Sequence, residues 1–441
     1  MVVYLARKFK LNLLACAIQR VFLARTGGCV RKVWNDLLEI QNKRIAKGEK
    51  PYTYNEMSAI LTDMKKSAEY AFLNEVPSQP LQQVLRDLNR AIRDAYYRKK
   101  DDPAKKGWPH FKSRDDGDSF RLPQLSDNFI DEINGIIVLP KIDKKFKKVH
   151  YFNSRPLDLV LPDGTSVKGE PCSATFKREG ADWYVSVLVK FEVPDPTPET
   201  APDWEKVIGA DVGVVHALTL SDGTHMDLDV DEIDCIERKI AYYQRKLSKN
   251  IERRKKLAKQ GNAKKFDKYK PSRRVKELKG KIQNLYIRRK NIIDDFKKKA
   301  GVAIVHEYGN DVTVCFENLN VKGMTKSAKG TVENPGRNVR QKSGLNRSIQ
   351  RVGFYSLQHT VEWVVKKYGG RVIYVPAAYT SQTCPVCGYR DKKNRESQAV
   401  FKCKNCSYTN NADVVGALNV RQRGIEQLKK EYSGLGAGSP E

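Results

Sequence analysis

Cys384-Pro385-Val386-Cys387-Gly388, then Cys403-Lys404-Asn405-Cys406, then Asn410-Asn411-Ala412-Asp413 form the stretch from which this chain's architecture is read. The two C-x2-C pairs are 15 residues apart, and Asp413 lies seven residues beyond Cys406. That spacing suits a structural zinc site, in which four thiolates close a tetrahedron and leave no open position for chemistry. Pro385, Gly388 and Asn405 supply the turns each half needs. Two unrelated thiol pairs or a disulfide are the competing readings, but a doubled C-x2-C at this spacing is seldom accidental. A redox C-x-x-C is disfavoured because nothing around it resembles a small βαβ redox domain. The expectation is a Zn²⁺ knuckle held by Cys384, Cys387, Cys403 and Cys406, set into a larger catalytic domain just before one of its carboxylates.

Composition narrows the partner. The 441 residues carry 81 Lys plus Arg against 52 Asp plus Glu, a net charge of +29. Such an excess suits a polyanion, because each neutralised phosphate releases counterions. A membrane surface is the competing polyanion, yet no apolar run approaches the ~18 residues of a spanning helix. The basic start (Arg7, Lys8, Lys10) before Leu-Asn-Leu-Leu-Ala-Cys-Ala-Ile resembles a secretion signal superficially. Asn12, Gln19 and Arg20 interrupt it, and Leu14, Ile18 and Phe22 recur as on an amphipathic helix. Cysteines 16, 29, 172, 235 and 315 have no framework spacing, which points to reduced thiols in a cytosol-like compartment.

Upstream, residues 1–10 alternate as a strand (Val3, Leu5, Phe9). From 12 to 100 the pattern is helical: Trp34, Leu37, Leu38 and Ile45, then Leu81, Val84, Leu85, Leu88, Ile92 and Ala95, the last run opened by Pro77-Ser78-Gln79-Pro80. From 105 to 195 short strands are predicted at Phe111-Lys112, 119–123, 135–140 and 183–189, suggesting a small barrel or sandwich. Pro194-Asp195-Pro196-Thr197-Pro198 reads as a linker. A new domain begins near 205, where Val207-Ile208-Gly209-Ala210-Asp211-Val212-Gly213-Val214 is a buried strand ending in Asp. Residues 231–300 read as a long antiparallel helical hairpin with a narrow seam (Ile233, Ile236, Ile240; Val275, Leu278, Ile282) and a polar connection containing Gly261. That hairpin carries a net +16, so it is more than a solvated coiled coil, which would interleave both signs. A strand follows at 311–319. Residues 321–350, basic and almost without apolar content, are expected to be mobile, and the final ten residues disordered.

Asp211, Glu317 and Asp413 each end a strand or start a helix. Singly, such an Asp is often a turn former or a helix-dipole partner. Three acids converging in a basic protein repel one another unless cations neutralise them, and oxygen donors suit Mg²⁺ or Mn²⁺. Two such ions about 4 Å apart serve phosphodiester hydrolysis without a general-base histidine. The six histidines, at 110, 150, 216, 225, 306 and 359, are indeed ungrouped. They show no His-hydrophobe-His signature of a single-strand transposase.

Ile208 to Val214, Glu317-Asn318-Leu319-Asn320-Val321-Lys322-Gly323-Met324, Tyr379-Thr380-Ser381-Gln382-Thr383-Cys384 and Asn411-Ala412-Asp413-Val414 occur in this order. With them the chain resembles the TnpB family, transposon-encoded RNA-guided nucleases ancestral to type V CRISPR effectors, the miniature type V-F effectors included. Pro77-Ser78-Gln79, Leu85-Arg86-Asp87-Leu88, Phe111-Lys112 and Ser119-Phe120-Arg121 extend the likeness upstream. The resemblance implies a multidomain α+β and α/β protein. It would have a wedge-type β-barrel (1–11 and 101–198), a helical recognition insertion (12–100), a RuvC-like RNase H-fold nuclease (203–380 and 409–431) and an inserted four-cysteine zinc module (381–408). A disordered tail (432–441) would complete it.

The resemblance further implies Asp211, Glu317 and Asp413 as the catalytic and Mg²⁺-holding residues, and the four cysteines as Zn²⁺ ligands. Implied partners are a guide RNA and double-stranded target DNA chosen by pairing beside a short flanking motif. The protein would act in a prokaryotic cytoplasm at the nucleoid, as a monomer or homodimer on one RNA. A nuclease-inactive RNA-guided repressor, an accessory transposase of an insertion sequence and a Holliday-junction resolvase are the alternatives. The family commonly has Asn then two Ala where this chain has Val415-Gly416-Ala417; Asn419 is kept.

Overall fold

The computed structural model describes residues 2–13, 16–98, 107–152, 156–160, 164–192, 202–259, 271–331, 333–397 and 399–433. The chain divides into two compact units, 1–195 and 196–441. The expected linker at 194–198 and the hairpin connection around Gly261 lie outside the described residues.

In the first unit, β1 (Val2–Leu11) is followed by three helices: α1 (Ala17–Ala46), α2 (Tyr54–Lys66) and α3 (Ser78–Tyr96). The strands β2 (Ser119–Leu122), β3 (Ile130–Asp131), β4 (Ile136–Val138), β5 (Lys148–Phe152), β6 (Leu159–Val160), β7 (Ser166–Val167), β8 (Glu170–Glu179) and β9 (Asp182–Glu192) come after them. Seven strands form an antiparallel sheet in the order β2-β8-β9-β1-β5-β4-β3, while β6 and β7 pair separately. Strict alternation explains the sheet: Trp183, Val185, Val187, Val189 and Phe191 of β9 are all buried, and the residues between them are not. Thr53 caps α2 in a reciprocal box with Glu56. The stripe Leu81, Val84, Leu85, Leu88 and Ile92 of α3 buries into the same core as the sheet.

Phe111-Lys112 is not a strand, contrary to its β-prone composition. The Trp34 indole donates to the His110 carbonyl at 3.0 Å and Asn35 bonds both backbone groups of Lys112. The Lys112 ammonium lies 3.7 Å over the Trp34 ring. This segment is therefore pinned to α1, where side chains take the backbone bonds that a sheet neighbour would have taken.

The second unit is built on β10 (Val207–Asp211), β11 (Leu218–Leu220), β12 (His225–Met226), β13 (Thr313–Asn318) and β14 (Arg371–Pro376). Their order is β12-β11-β10-β13-β14; β10, β13 and β14 run parallel, and β11 and β12 antiparallel. The hairpin is α4 (Val230–Lys259) and α5 (Arg273–Tyr308). Next come α6 (Val321–Met324), α7 (Val339–Val352) and α8 (Phe354–Lys367). The cysteine knuckle carries β15 (Val400–Lys402) and β16 (Thr409–Asn411), and α9 (Ala412–Ser433) ends the described chain.

The three parallel strands are near-continuous apolar runs because helices cover both faces. Ile208, Val314 and Phe316 cluster with Ile304 of α5 and with Leu357 and Val361 of α8. Val207, Cys315 and Val375 cluster with Val420 and Leu428 of α9. The α9 contact is backbone to backbone: a Cβ on Gly209 would stand 1.9 Å from the Ala417 carbonyl oxygen. Only glycine permits that approach.

Two expectations are corrected here. The segment 321–350 holds α6 and most of α7. Few apolar residues suffice, because Ile349 and Val352 bury together, Lys342 bonds the Met324 carbonyl and Asn346 the Thr325 carbonyl. The tail expected from 432 is corrected at its first two residues, since α9 includes Tyr432 and Ser433; residues 434–441 lie outside the described residues. No helix among the described residues is long and apolar enough to cross a membrane.

Candidate active site

Strand parity decides which side chains meet. Asp211 ends β10, and Glu317 lies next to the end of β13. The parallel register pairs Ala210 with Phe316, so Asp211 and Glu317 follow side by side at the carboxyl ends of adjacent strands. Both share odd-numbered parity with Val207, Gly209 and Cys315, so they point to the face covered by α9. Asp413 is the second residue of that helix. The Asn411 side chain accepts from the Asp413 amide at 2.8 Å, capping the helix and fixing where Asp413 starts. A Cβ on Gly416, one turn on, would lie 3.0 Å from Asp211 Oδ2, so α9 presses directly on that carboxylate.

The three acids feel one another. Burial, then the charges of Glu317 and Asp413, push the Asp211 carboxyl up to about 7, with Arg395 pulling the other way. Burial also raises Glu317, against the Thr380 hydroxyl, Arg423 and Arg395. Arg395 Nη2 donates to Asp413 Oδ1 at 3.2 Å. It comes from the knuckle, between its two cysteine pairs.

Glu317 is held by a buried polar chain. Gln358 of α8 donates to its carbonyl at 2.8 Å, and the Thr380 hydroxyl donates to its Oε1. Asn419 of α9 donates to the carbonyls of Thr380 (2.7 Å) and Thr383 (2.8 Å), just before Cys384. Sequence reading has no signal for Arg395, one of many basic residues in its segment. Thr380 lies inside a quoted motif without an assigned role.

The knuckle sulfurs converge more tightly. Among the described residues, the four cysteines are the group of His, Cys, Asp or Glu side chains whose ligand atoms all lie within 4.8 Å of one another. Cys384 and Cys406 sulfurs are 3.6 Å apart, as are those of Cys387 and Cys403. A tetrahedron with metal–sulfur bonds of ~2.3 Å has edges of about 3.8 Å, so the cluster fits zinc. The backbone amide of Tyr389 is the largest of the influences that draw the Cys387 thiol down to about 6, while burial holds the Cys384 thiol up. Phe401, Ala412 and Val415 pack with Cys384 and Cys403, so Val415 faces the knuckle and not the carboxylates. Oxygen-only donors at Asp211, Glu317 and Asp413 fit Mg²⁺ or Mn²⁺ by the same chemical reasoning.

A family model described as "Cas12f1-like, TNB domain" matches residues 354–420. A model described as "Helix-turn-helix domain" matches residues 1–50, where this structure has strand β1 and the single helix α1. The chain is 36% identical over 416 residues to the putative RNA-guided DNA endonuclease InsQ of Escherichia coli K12, covering 94% of this chain and 92% of that one. It is 27% identical over 425 residues to a putative RNA-guided DNA endonuclease of Streptomyces pristinaespiralis, covering 95% and 89%. Among solved structures, a Cas12f1–sgRNA–target DNA complex is similar at 15% identity and a TM-score of 0.48, over 91% of this chain and 83% of that one.

Proposed function

This chain belongs to the TnpB family, and from that premise we propose that it is an RNA-guided DNA endonuclease. It hydrolyses phosphodiester bonds of double-stranded DNA selected by pairing with a bound guide RNA, beside a short motif read by the protein. The observation that carries the chemistry is the meeting of Asp211, Glu317 and Asp413 on one face of the parallel sheet, where burial first and the charges of the other two acids next raise the Asp211 carboxyl to about 7.

In this reading the second unit is a RuvC-like nuclease, and the first a wedge-type barrel with a recognition insertion formed by α1–α3. Divalent Mg²⁺ or Mn²⁺ held by the three carboxylates would supply charge neutralisation and an activated water. The protein's own part is to fix those carboxylates. The Thr380 hydroxyl and the Glu317 backbone contacts orient the second acid, Asn411 places the third, and Gly416 leaves room for the first. Arg395 offsets negative charge at the edge of the cluster. Cys384, Cys387, Cys403 and Cys406 would hold a structural zinc, and the knuckle so closed would support Arg395 and the Thr380–Thr383 loop. The basic hairpin and α7 offer cations to a guide–target duplex, whose A-form backbone needs no recognition helix. Such a protein works on nucleoid DNA in the cytoplasm.

The test is to sequence the RNA that copurifies with the chain, then to supply a plasmid bearing a matching site with randomised flanks. Cleavage in Mg²⁺, none in EDTA, and dependence on pairing are expected. Binding without cleavage in either Mg²⁺ or Mn²⁺ would leave a repressor instead.

A further inference from the structure

Glu317 is 9% exposed, and the polar groups around it are as secluded: Thr380 4%, Gln358 4% and Asn419 7%. Buried polar side chains are costly unless each finds a partner, and a connected set fixes one geometry. Three contacts tie this set to Glu317. Gln358 holds its carbonyl, Thr380 its Oε1, and Asn419 holds the Thr380 carbonyl.

Thr380 has two acceptors within reach, Glu317 Oε1 and the Ala377 carbonyl at 3.1 Å. A hydroxyl has one proton, and an ionised carboxylate is the stronger acceptor. The residue before Thr380 has an uncommon backbone conformation. Tyr379 sits at φ +67°, a left-handed conformation that is unfavourable for a non-glycine residue. The Arg390 guanidinium, 3.4 Å over the Tyr379 ring, helps to hold it there. A strained residue immediately before a buried hydroxyl aimed at one carboxylate oxygen marks a device for orienting that carboxylate.

We propose that Thr380 is the positioning residue for Glu317: it occupies Oε1 and so leaves Oε2 as the oxygen presented to a divalent cation. Asn419, by fixing the Thr380 carbonyl, locks the same geometry to α9 and hence to Asp413. This rests on the reading of Glu317 as a metal-holding carboxylate.

The experiment compares the full chain, with its copurified RNA, against Thr380→Val and Thr380→Ser. Val keeps the shape and removes the donor; Ser keeps the donor and removes the methyl. Binding of Mn²⁺ alone, followed by the EPR signal of the free ion, is expected to weaken about tenfold in Thr380→Val, the scale for lost partners of metal ligands. Single-turnover cleavage should fall roughly 10- to 100-fold while target affinity and zinc content stay unchanged. Thr380→Ser should stay within about twofold of the parent on both counts, since the donor that sets the effect is kept. Parental Mn²⁺ binding and cleavage in Thr380→Val, or equal impairment in Thr380→Ser, would overturn the proposal. If Thr380→Val loses zinc or melts early, Thr380→Ala removes the hydroxyl without a methyl against the carboxylate and carries the comparison. Glu317→Gln is run alongside: cleavage by that variant sinks the catalytic assignment itself, a failure distinct from that of Thr380.

Discussion

Arg395 and Asp413 are joined at 3.2 Å across the junction between the cysteine knuckle and the helix that follows it. The pair is mostly enclosed, with 27% and 13% of the two side chains exposed. It is a cation–anion contact at the rim of three carboxylates, so its removal acts on both charge and geometry.

Arg395→Ala should therefore slow cleavage by roughly 10- to 100-fold, the range for losing a partner that orients a metal-holding side chain. Guide and target affinities should change little. Single-turnover rates beside equilibrium binding separate the two, and Arg395→Lys should recover only part, because a point charge replaces a planar fork.

Asp211→Asn should abolish cleavage and leave RNA-guided target binding intact. It also has a stability signature with a definite sign. The folded carboxyl titrates near 7, above its ordinary 3.8, so the folded state prefers the protonated acid. Below about pH 4 this acid imposes no penalty; the penalty grows as pH rises and is complete above 7. The amide variant should be more stable than the parent at pH 8 without divalent ions, by roughly 1–3 kcal/mol after allowing for remaining solvent contact, and no more stable near pH 4. Melting in EDTA at the two pH values reads this directly, and a constant difference would refute the assignment of burial and repulsion.

Cys403→Ser should release zinc and unfold the knuckle, since thiolate coordination supplies folding free energy. Cleavage should fall with it, because Arg395 and the Thr380–Thr383 loop lose their support. Metal analysis by mass spectrometry and cleavage on one preparation would show whether zinc content and rate fall together.

Val415→Asn tests the departure in this chain's last motif. Val415 is fully buried among Phe401, Cys384, Cys403 and Ala412, an apolar setting around the sulfurs. A buried amide left unpaired costs about 1–3 kcal/mol. A lower melting temperature and easier loss of zinc to a chelator are expected; an unchanged melt would mean that the amide finds a partner.

Lys249, Arg253 and Lys256 lie exposed along one side of α4. Replacing all three by Gln should weaken guide RNA binding and lower the slope of log affinity against log salt by about 2–3, close to one unit per lost phosphate contact. A filter-binding series in salt measures both.

Much of the site is legible in the sequence. Asp211 and Glu317 stand at the ends of apolar runs, Asp413 at a helix start, and the cysteines in a spacing that suits a small tetrahedron. These are local signals. Arg395, Gln358 and Asn419 act through neighbours 18, 41 and 39 residues away in the chain. No periodicity marks such contacts. Segment 321–350 misleads for a related reason: α7 is anchored at one end by Ile349 and Val352, and composition averages that anchor away. Phe111-Lys112 misleads in the opposite direction, because β-prone residues there are claimed by the side chains of Trp34 and Asn35.

Strand β16 ends at Asn411 and α9 begins at Ala412, with no residue between them. Knuckle and third carboxylate are thus a single lever without slack. Any displacement of the knuckle would carry Asp413 with it, because the Asn411 side chain accepts from the Asp413 amide. The position of the third acid is therefore set by how the knuckle folds.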